Sequence, residues 1–515
     1  MRVKYGHILG LVLSVKAWAQ PVPERSEPEL PKEVGVALLI REGQSVRTHP
    51  SMVRLAEALR RSGWLGDKVE AWSLLAKTLG LEDGAALDLL MGQRFAAVWS
   101  AEPAAAKLPG GPSRAWAAIS EVPAGDADLL AARLDPAPRG VSNRRAIMLL
   151  EGGQFVLSRR DVGDRSTLTL TPAASPLEPG VASRAAEELG KSLAGAGLGV
   201  YASWEREGRP GETERVWATA TPNGAVWTIE ARGTPGLFAL TPDGLRSLSR
   251  GERREPMRAA SHLLHFEGAI PRESQWDESL KQALTAMSLL RLPVPDPRIW
   301  GPRMLISVER GGELGKELSM TLGVEVSDVR AAATQGDAMM SAIVEWAGRL
   351  ALAEAPATTK PGPKQAVAEQ IKLAGREYAA LRVVSLSPPS KKEEDGVILA
   401  WTCVGSDAAG DSRGWWVLRF EGSASGRGRL EESLAGVGRD LRGAVGSSTL
   451  MRLRVRPAEL YEWLDLKNAP EAETLAPLRE IDQVEFEAWA DPSGHIVGHG
   501  TVQLGERPRN EGEDK

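Results

Sequence analysis

Four times along this chain a short apolar run ends, a proline follows, and a helical pattern begins. Val34 to Ile40 precedes Pro50, Ala115 to Val122 precedes Pro123, His262 to Ile270 precedes Pro271, and Thr449 to Val455 precedes Pro457. Runs of this length, bounded by breakers, read as strands. Proline just inside a helix start is tolerated because it lacks an N–H where none is needed, and its ring presets φ. The helical patterns run from Pro50 (Met52, Leu55, Ala56 and Leu59 on one face), over Asp128 to Leu134, from Trp276 to about Ala286, and over Ala458 to Leu464. Uneven spacing excludes a regular solenoid and predicts irregular pseudo-repeats of strand-proline-helix units.

Between these units lie hairpin signals. Val216 to Ala220 and Ala225 to Ile229 flank a turn containing Asn223-Gly224. Ile147 to Leu150 and Phe155 to Leu157 flank Glu151 to Gln154, and Val484 to Trp489 and Ile496 to Leu504 flank Asp491 to Gly494. Side chains roughly alternate in character along these strands, which favours antiparallel sheet with one covered face over a parallel α/β sheet. Further helical spacing appears over Val69 to Leu79 and Ala85 to Leu90, before a strand at Phe95 to Trp99. The expected class is therefore α+β, antiparallel sheets with packed helices.

Length and composition set the organisation. The chain has 515 residues, 42% hydrophobic and 25% charged, the balance of a folded protein of several domains. Residues 34–250 are expected to form an N-terminal α+β domain, 251–353 a middle unit and 365–505 a C-terminal domain. Proline- and lysine-rich stretches at 354–364 and 388–395 read as loops or linkers, and 506–515 as a polar tail. With 63 basic against 68 acidic residues dispersed along the chain, no block of Lys and Arg marks a nucleic-acid partner.

The start of the chain reads as a targeting segment. Arg2 and Lys4 form a positive n-region, Ile8 to Val15 an apolar core, and Ala17-Trp18-Ala19 a small-x-small cleavage site, although Lys16 interrupts the pattern. Residues 1–19 are expected to be a signal peptide and 20–33 a disordered lead, which puts the protein in the periplasm or outside the cell. No later run reaches the roughly 20 apolar residues of a membrane-spanning helix. Cys403 is alone, so an intrachain disulfide, a thiolate metal cluster and a lipid anchor on an N-terminal cysteine are all excluded. It sits in the apolar strand Val397 to Val404 and is expected to be a buried, inert thiol.

Two runs carry a family resemblance. Pro50-Ser-Met-Val-Arg-Leu-Ala-Glu-Ala-Leu-Arg-Arg-Ser-Gly and Leu79-Gly-Leu-Glu-Asp-Gly-Ala-Ala-Leu-Asp-Leu-Leu-Met-Gly-Gln-Arg-Phe-Ala-Ala-Val resemble the opening of a broad group of exported bacterial proteins, domain of unknown function 3352. The strand-proline-helix units and the C-terminal hairpin are similar in style. The resemblance implies export but no catalytic residues.

Familiar site motifs each lack an essential residue. Gly190-Lys191-Ser192 ends like a phosphate-binding loop, but Ala185 stands where its first glycine belongs. Gly311-Gly312-Glu313-Leu314-Gly315-Lys316 is followed by Glu317, which offers Mg²⁺ no hydroxyl. Gly422-Ser423-Ala424-Ser425-Gly426 has alanine where a nucleophile elbow needs serine. No cofactor is expected.

Histidines and tryptophans remain. Beyond the leader the histidines are His49, His262, His265, His495 and His499. His262 and His265, near Glu267, with His495 and His499 could form a metal site if the fold joined the pairs. Residues three apart on a strand face opposite ways, which argues against the first pair, whereas 495 and 499 can share a face. Tryptophan is abundant, 16 against 6 Phe and 4 Tyr, and most are expected as core fillers. Adjacent Trp415 and Trp416 point to opposite faces of a strand and are the candidates for a binding surface toward an envelope protein or glycan. The leading expectation is thus a non-enzymatic exported module that binds or structures something in the cell envelope. The alternatives are a hydrolase whose carboxylates converge in the fold, and a metal-binding protein using the four histidines.

Overall fold

The structure, a computed structural model, describes residues 28–62, 76–77, 81–108, 111–128, 145–150, 153–173, 176–193, 197–205, 213–234, 262–269, 296, 298–311, 317–353, 364–373, 376–385, 397–405, 412–421, 449–464, 466, 472–491 and 495–505. The expected signal peptide, the helical stretches from Trp276 and over most of Val69 to Leu79, and the Gly422 motif lie outside them. The chain divides into two units. The first comprises Met1–Leu237, Pro457–Phe486 and His495–Lys515, and the second Phe238–Arg456 and Glu487–Gly494. The chain after Arg456 thus contributes to both units, Pro457–Phe486 and His495–Lys515 to the first and Glu487–Gly494 to the second.

In the first unit the strands are β1 (Val34–Arg41), β2 (Arg94–Leu108), β3 (Gly111–Pro123), β4 (Arg145–Leu150), β5 (Gly153–Val162), β6 (Arg165–Pro172), β7 (Leu198–Glu205), β8 (Thr213–Asn223), β9 (Val226–Gly233) and β19 (Ile496–Leu504). Every pairing is antiparallel, and the spatial order is β4-β5-β6-β3-β2-β1-β7-β8-β9-β19. Two hairpins turn on glycines at positive φ, Gly163 at 66° and Gly224 at 61°. Asn223 pairs with Val226, so the two-residue loop is Gly224-Ala225, in a turn that contains the expected Asn223-Gly224. Glycine at the first of two loop positions is the type II′ arrangement, whose twist matches that of the flanking strands.

Helix Pro179–Ser192 covers one face of this sheet. Val181, Ala182, Ala185, Ala186 and Leu189 are buried at helical spacing. They pack with Leu39, Ala37, Ala96, Val98, Ala117, Ile119, Tyr201 and Trp217 from successive strands. Each fully buried leucine here is worth about 2 kcal/mol of transfer free energy. Close approach needs glycine on both sides. A Cβ on Gly190 would stand 2.7 Å from Arg94 Nη2, and one on Gly199 would stand 2.6 Å from Leu193 Cδ2. The glycine of the Gly190-Lys191-Ser192 look-alike thus serves helix-on-sheet packing. Arg94 Nη2 donates to the Ala186 carbonyl at 2.8 Å, and Arg41 Nη2 donates to the Gly190 carbonyl at 3.1 Å, in the last turn where acceptors are left open.

Helix Pro50–Arg61 begins with proline at its first turn, as expected, and buries Leu55 and Ala58. It is tied to the returning C-terminal segment: Ser51 Oγ donates to the Gly505 carbonyl at 3.3 Å, and Arg54 Nε lies 3.4 Å from Glu480 Oε2.

The second unit contains β10 (His262–Ala269), β11 (Trp300–Gly311), β12 (Glu317–Val326), β13 (Lys364–Leu373), β14 (Arg376–Ser385), β15 (Val397–Gly405), β16 (Gly414–Glu421) and β17 (Thr449–Val455). Their order is β13-β14-β15-β16-β12-β11-β10-β17, again antiparallel throughout. Helix Val329–Ala353 covers one face of this sheet. Asp328 caps it, Oδ1 accepting from the Arg330 and Ala331 amides at 2.9 and 3.0 Å. Its Ala332 and Met340 pack with Val326, Trp401 and Trp416 of the sheet. A Cβ on Gly336 would stand 2.3 Å from Trp416 Nε1, so this glycine lets the indole reach the helix backbone.

The structure is thus α+β, with extensive antiparallel sheet and packed helices. A regular strand-proline-helix repeat is not what organises it. β1 and β10 lie inside their sheets, and the chain divides between Arg456 and Pro457, so β17 and helix Pro457–Trp463 belong to different units. That proline marks a junction between units instead of a turn within one. β18 (Ile481–Ala490) and β19 match the two strands expected near the C-terminus.

Candidate functional site

A cluster of buried polar side chains lies, among the described residues, on the face of the second unit's sheet opposite helix Val329–Ala353. His265, Ser307, Thr321 and Arg419 are successive cross-strand partners on β10, β11, β12 and β16. All four are buried, as are His262 and Glu267. Side chains on neighbouring antiparallel strands meet when they share a row, and here the row is polar from end to end.

His262 joins this row through an irregularity. In β10 the register against β11 shifts between His262, which pairs with Glu309, and Leu264, which pairs with Val308. The extra residue turns His262 to the side that His265 occupies. Their rings stack with centroids 5.3 Å apart and planes at 22°. The expectation that residues three apart face opposite ways is overturned here, because it assumed a regular strand.

Glu309 is the hub of the cluster. Its Oε1 accepts from His262 Nε2 at 2.6 Å and from Ser307 Oγ at 3.4 Å, and its Oε2 lies 3.3 Å from Arg419 Nη2. Arg419 Nη1 also donates to Thr321 Oγ1 at 2.5 Å. Burial pushes the Glu309 carboxyl up, but the His262 hydrogen bond and the Arg419 charge outweigh it and lower the group to about 2. A neighbouring cluster centres on Arg452, which lies 2.8 Å from Glu487 and 3.7 Å from Glu267. Arg303 Nη2 donates to the Thr449 carbonyl at 3.2 Å, and Thr449 Oγ1 to Glu487 at 3.4 Å.

Chemically this arrangement stabilises charge and offers little reactivity. A carboxyl held at about 2 carries no proton to donate near neutral pH and is a feeble base. Ser307 hydrogen-bonds to the carboxylate and not to the imidazole, so the nucleophile-base-acid order of a hydrolytic triad is absent. Cys403 is half-buried, and burial followed by the nearby Asp337 charge pushes its thiol up to about 12. It is therefore an inert thiol at neutral pH.

His499 pairs in register with Glu230 across β19 and β9, and His495 Nδ1 lies 3.5 Å from Arg232 Nη2, both in the first unit. Among the described residues no group of three or more His, Cys, Asp or Glu side chains is arranged to hold a metal ion. Trp415 and Trp416 do point to opposite faces, yet both are buried, at 0% and 3% exposure. Both faces of β16 are covered there, so neither indole offers a stacking platform. Trp416 instead packs edge-on against Trp300, with centroids 5.5 Å apart and planes at 80°. Trp204 at the end of β7 is 40% exposed, while Trp99, Trp116, Trp300, Trp463 and Trp489 are half-buried.

His49 borders a small hollow of about 200 Å³ in the first unit, lined also by Ser45, Met52, Pro222, Gly224 and Trp227. His49 Nδ1 and Trp227 Nε1 find no hydrogen-bond partner among the described residues, but both atoms are shielded from solvent and unreachable from the hollow as it stands. Its volume is also below the ~300 Å³ at which small-molecule sites begin. No helix among the described residues is long and apolar enough to cross a membrane.

Glu309 and Arg419 were not legible as site residues. They lie 110 positions apart, and neither belongs to a motif. The one available signal was the coincidence of His262, His265 and Glu267 in a single apolar strand. Comparison with family models, with curated proteins and with solved structures returned no match.

Proposed function

We propose that this chain is a non-enzymatic module of the bacterial cell envelope, exported to the periplasm or beyond, where it binds or structures a protein or glycan partner. The observation that carries this reading is the state of the reactive groups. The most elaborate polar cluster is buried and compensated by its own ion pairs, and its central carboxyl is held ionised at about 2. The lone thiol is suppressed as well. Export rests on the leader-like residues 1–19, and the resemblance of the 50–63 and 79–98 runs to the exported domain-of-unknown-function 3352 group supports it.

The test has two arms on the full mature chain. In envelope extracts, cross-linking followed by mass spectrometry should recover one specific partner in near-stoichiometric yield, while ester, glycoside and peptide substrates should turn over no faster than in buffer. Hydrolysis that disappears in Glu309→Gln or His262→Gln would overturn the proposal in favour of a hydrolase.

A further inference from the structure

The two units share a pattern of strand connection that neither needs on general grounds. In the first unit, β4-β5-β6-β3-β2-β1-β7 are adjacent in that order. In the second, β14-β15-β16-β12-β11-β10-β17 are adjacent in the same connectivity, with β13 added outside. In both, a strand pairs with the next two as a meander, three later strands fold back to join the third, and a seventh returns to flank the first. Consecutive strands usually neighbour one another, so a shared long-range return to the same two positions is a strong coincidence.

The registers agree in detail. The first strand of each set shifts register against the second at its opening residues, between Val34 and Val36 in β1 and between His262 and Leu264 in β10. Bulges of this kind are specific features of a strand pair, not random defects. Aligning on them matches Val34 to His262, Ala37 to His265 and Leu39 to Glu267. Ala37 then pairs with Val98 and Tyr201 where His265 pairs with Ser307 and Arg454. Leu39 pairs with Ala96 and Gly199 where Glu267 pairs with Leu305 and Arg452. Further along, Ala117 matches Thr321, and Thr169 matches Val417, so that Thr171 stands where the other set has Arg419.

We infer that the chain contains two copies of one seven-strand module, and that the face forming the apolar core of the first copy has become the buried polar face of the second. In the first copy this face carries Val34, Ala37, Leu39, Val98 and Ala117 under helix Pro179–Ser192. In the second the matched positions carry His262, His265, Glu267, Ser307 and Thr321, all buried. On this reading the two copies keep one connectivity and differ in polarity at the matched positions of that face.

Two measurements on the full chain test the inference. In a Cys403→Ser background, paired cysteines are placed at Val36 and Ala202, at Ala118 and Leu170, and at their matches Leu264 with Val455 and Leu322 with Leu418. All four pairs should close to disulfides on mild oxidation, read by non-reducing peptide mapping, each reduced form having the far-UV spectrum of the parent. Closure in one copy without its match in the other would overturn the inference. Hydrogen exchange on the unsubstituted chain decides the matter where a variant fails to fold. β1 and β10, each flanked on both sides, should both exchange slowly, whereas β4, paired on one side with β5, should exchange faster than its match β14, which β13 and β15 flank. Fast exchange in only one of the two central strands would overturn the shared topology.

Discussion

His262 Nε2 and Glu309 Oε1 face each other across β10 and β11 at 2.6 Å, with the Arg419 guanidinium 3.3 Å from the carboxylate's other oxygen. One carboxylate thus neutralises an arginine that is 3% exposed and orients a histidine that is 5% exposed. Removing it takes away the carboxylate that faces this buried guanidinium in a region of low dielectric. Breaking a buried pair from one side costs about 3 kcal/mol. Glu309→Gln is therefore expected to lower the unfolding free energy by that order in urea titration, while Arg165→Gln, at an exposed pair with Glu121, should change it by well under about 1 kcal/mol.

The same carboxyl sets an acid dependence. Its folded-state value of about 2 lies below the ordinary 4.5, so its contribution to stability is complete above pH 4.5 and is lost as pH falls toward 2. The difference amounts to about 3 kcal/mol at full loss. Urea midpoints measured from pH 6 to pH 2.5 should fall more steeply for the parent than for Glu309→Gln, and the two curves should converge at the acid end. Parallel curves across that window would show that Glu309 does not carry the effect.

What could be read from residues alone, and what could not, divides along a physical line. Elements with a local signature were legible: Thr449–Val455, the helix beginning at Pro457, and the hairpin whose turn contains Gly224 all depend on residues within a few positions of each other. The register shift in β10 depends on the partner strand about 45 residues later, and so the side to which His262 turns was hidden. The fate of Trp415 and Trp416 was hidden for a related reason. Alternation fixes that they point oppositely, but burial depends on whether both faces of the sheet are covered, which is a property of the whole unit. Helix Pro179–Ser192 was hidden because its buried face is made largely of the small residues Ala182, Ala185, Ala186 and Gly190, which mark an apolar stripe only weakly.

Gly336 offers a case where two effects of known size oppose each other. In a helix interior, glycine to alanine ordinarily gains about 1 kcal/mol. Here the new methyl would stand 2.3 Å from Nε1 and 3.0 Å from Cδ1 of the rigid, buried Trp416 indole. Overpacking of this kind costs about 1–3 kcal/mol. Gly336→Ala should therefore lower Tm, and adding Trp416→Leu should recover part of the loss, which the two single substitutions would not predict if their effects were additive.

Cys403 should behave as a core residue toward reagents that require thiolate. Burial and the Asp337 charge raise its pKa from 9.0 to about 12, which reduces the thiolate fraction near pH 8 by about a thousandfold relative to an ordinary cysteine. Reaction with a disulfide reagent such as Ellman's at pH 8 should accordingly be slow in the native chain and rapid in urea. Because attack then requires opening, the native rate should rise in step with the destabilisation caused by Gly336→Ala, whose helix and Trp416 partner belong to the same packed cluster as Cys403. A rate equal to that of the unfolded chain would mean that the thiol is neither buried nor suppressed.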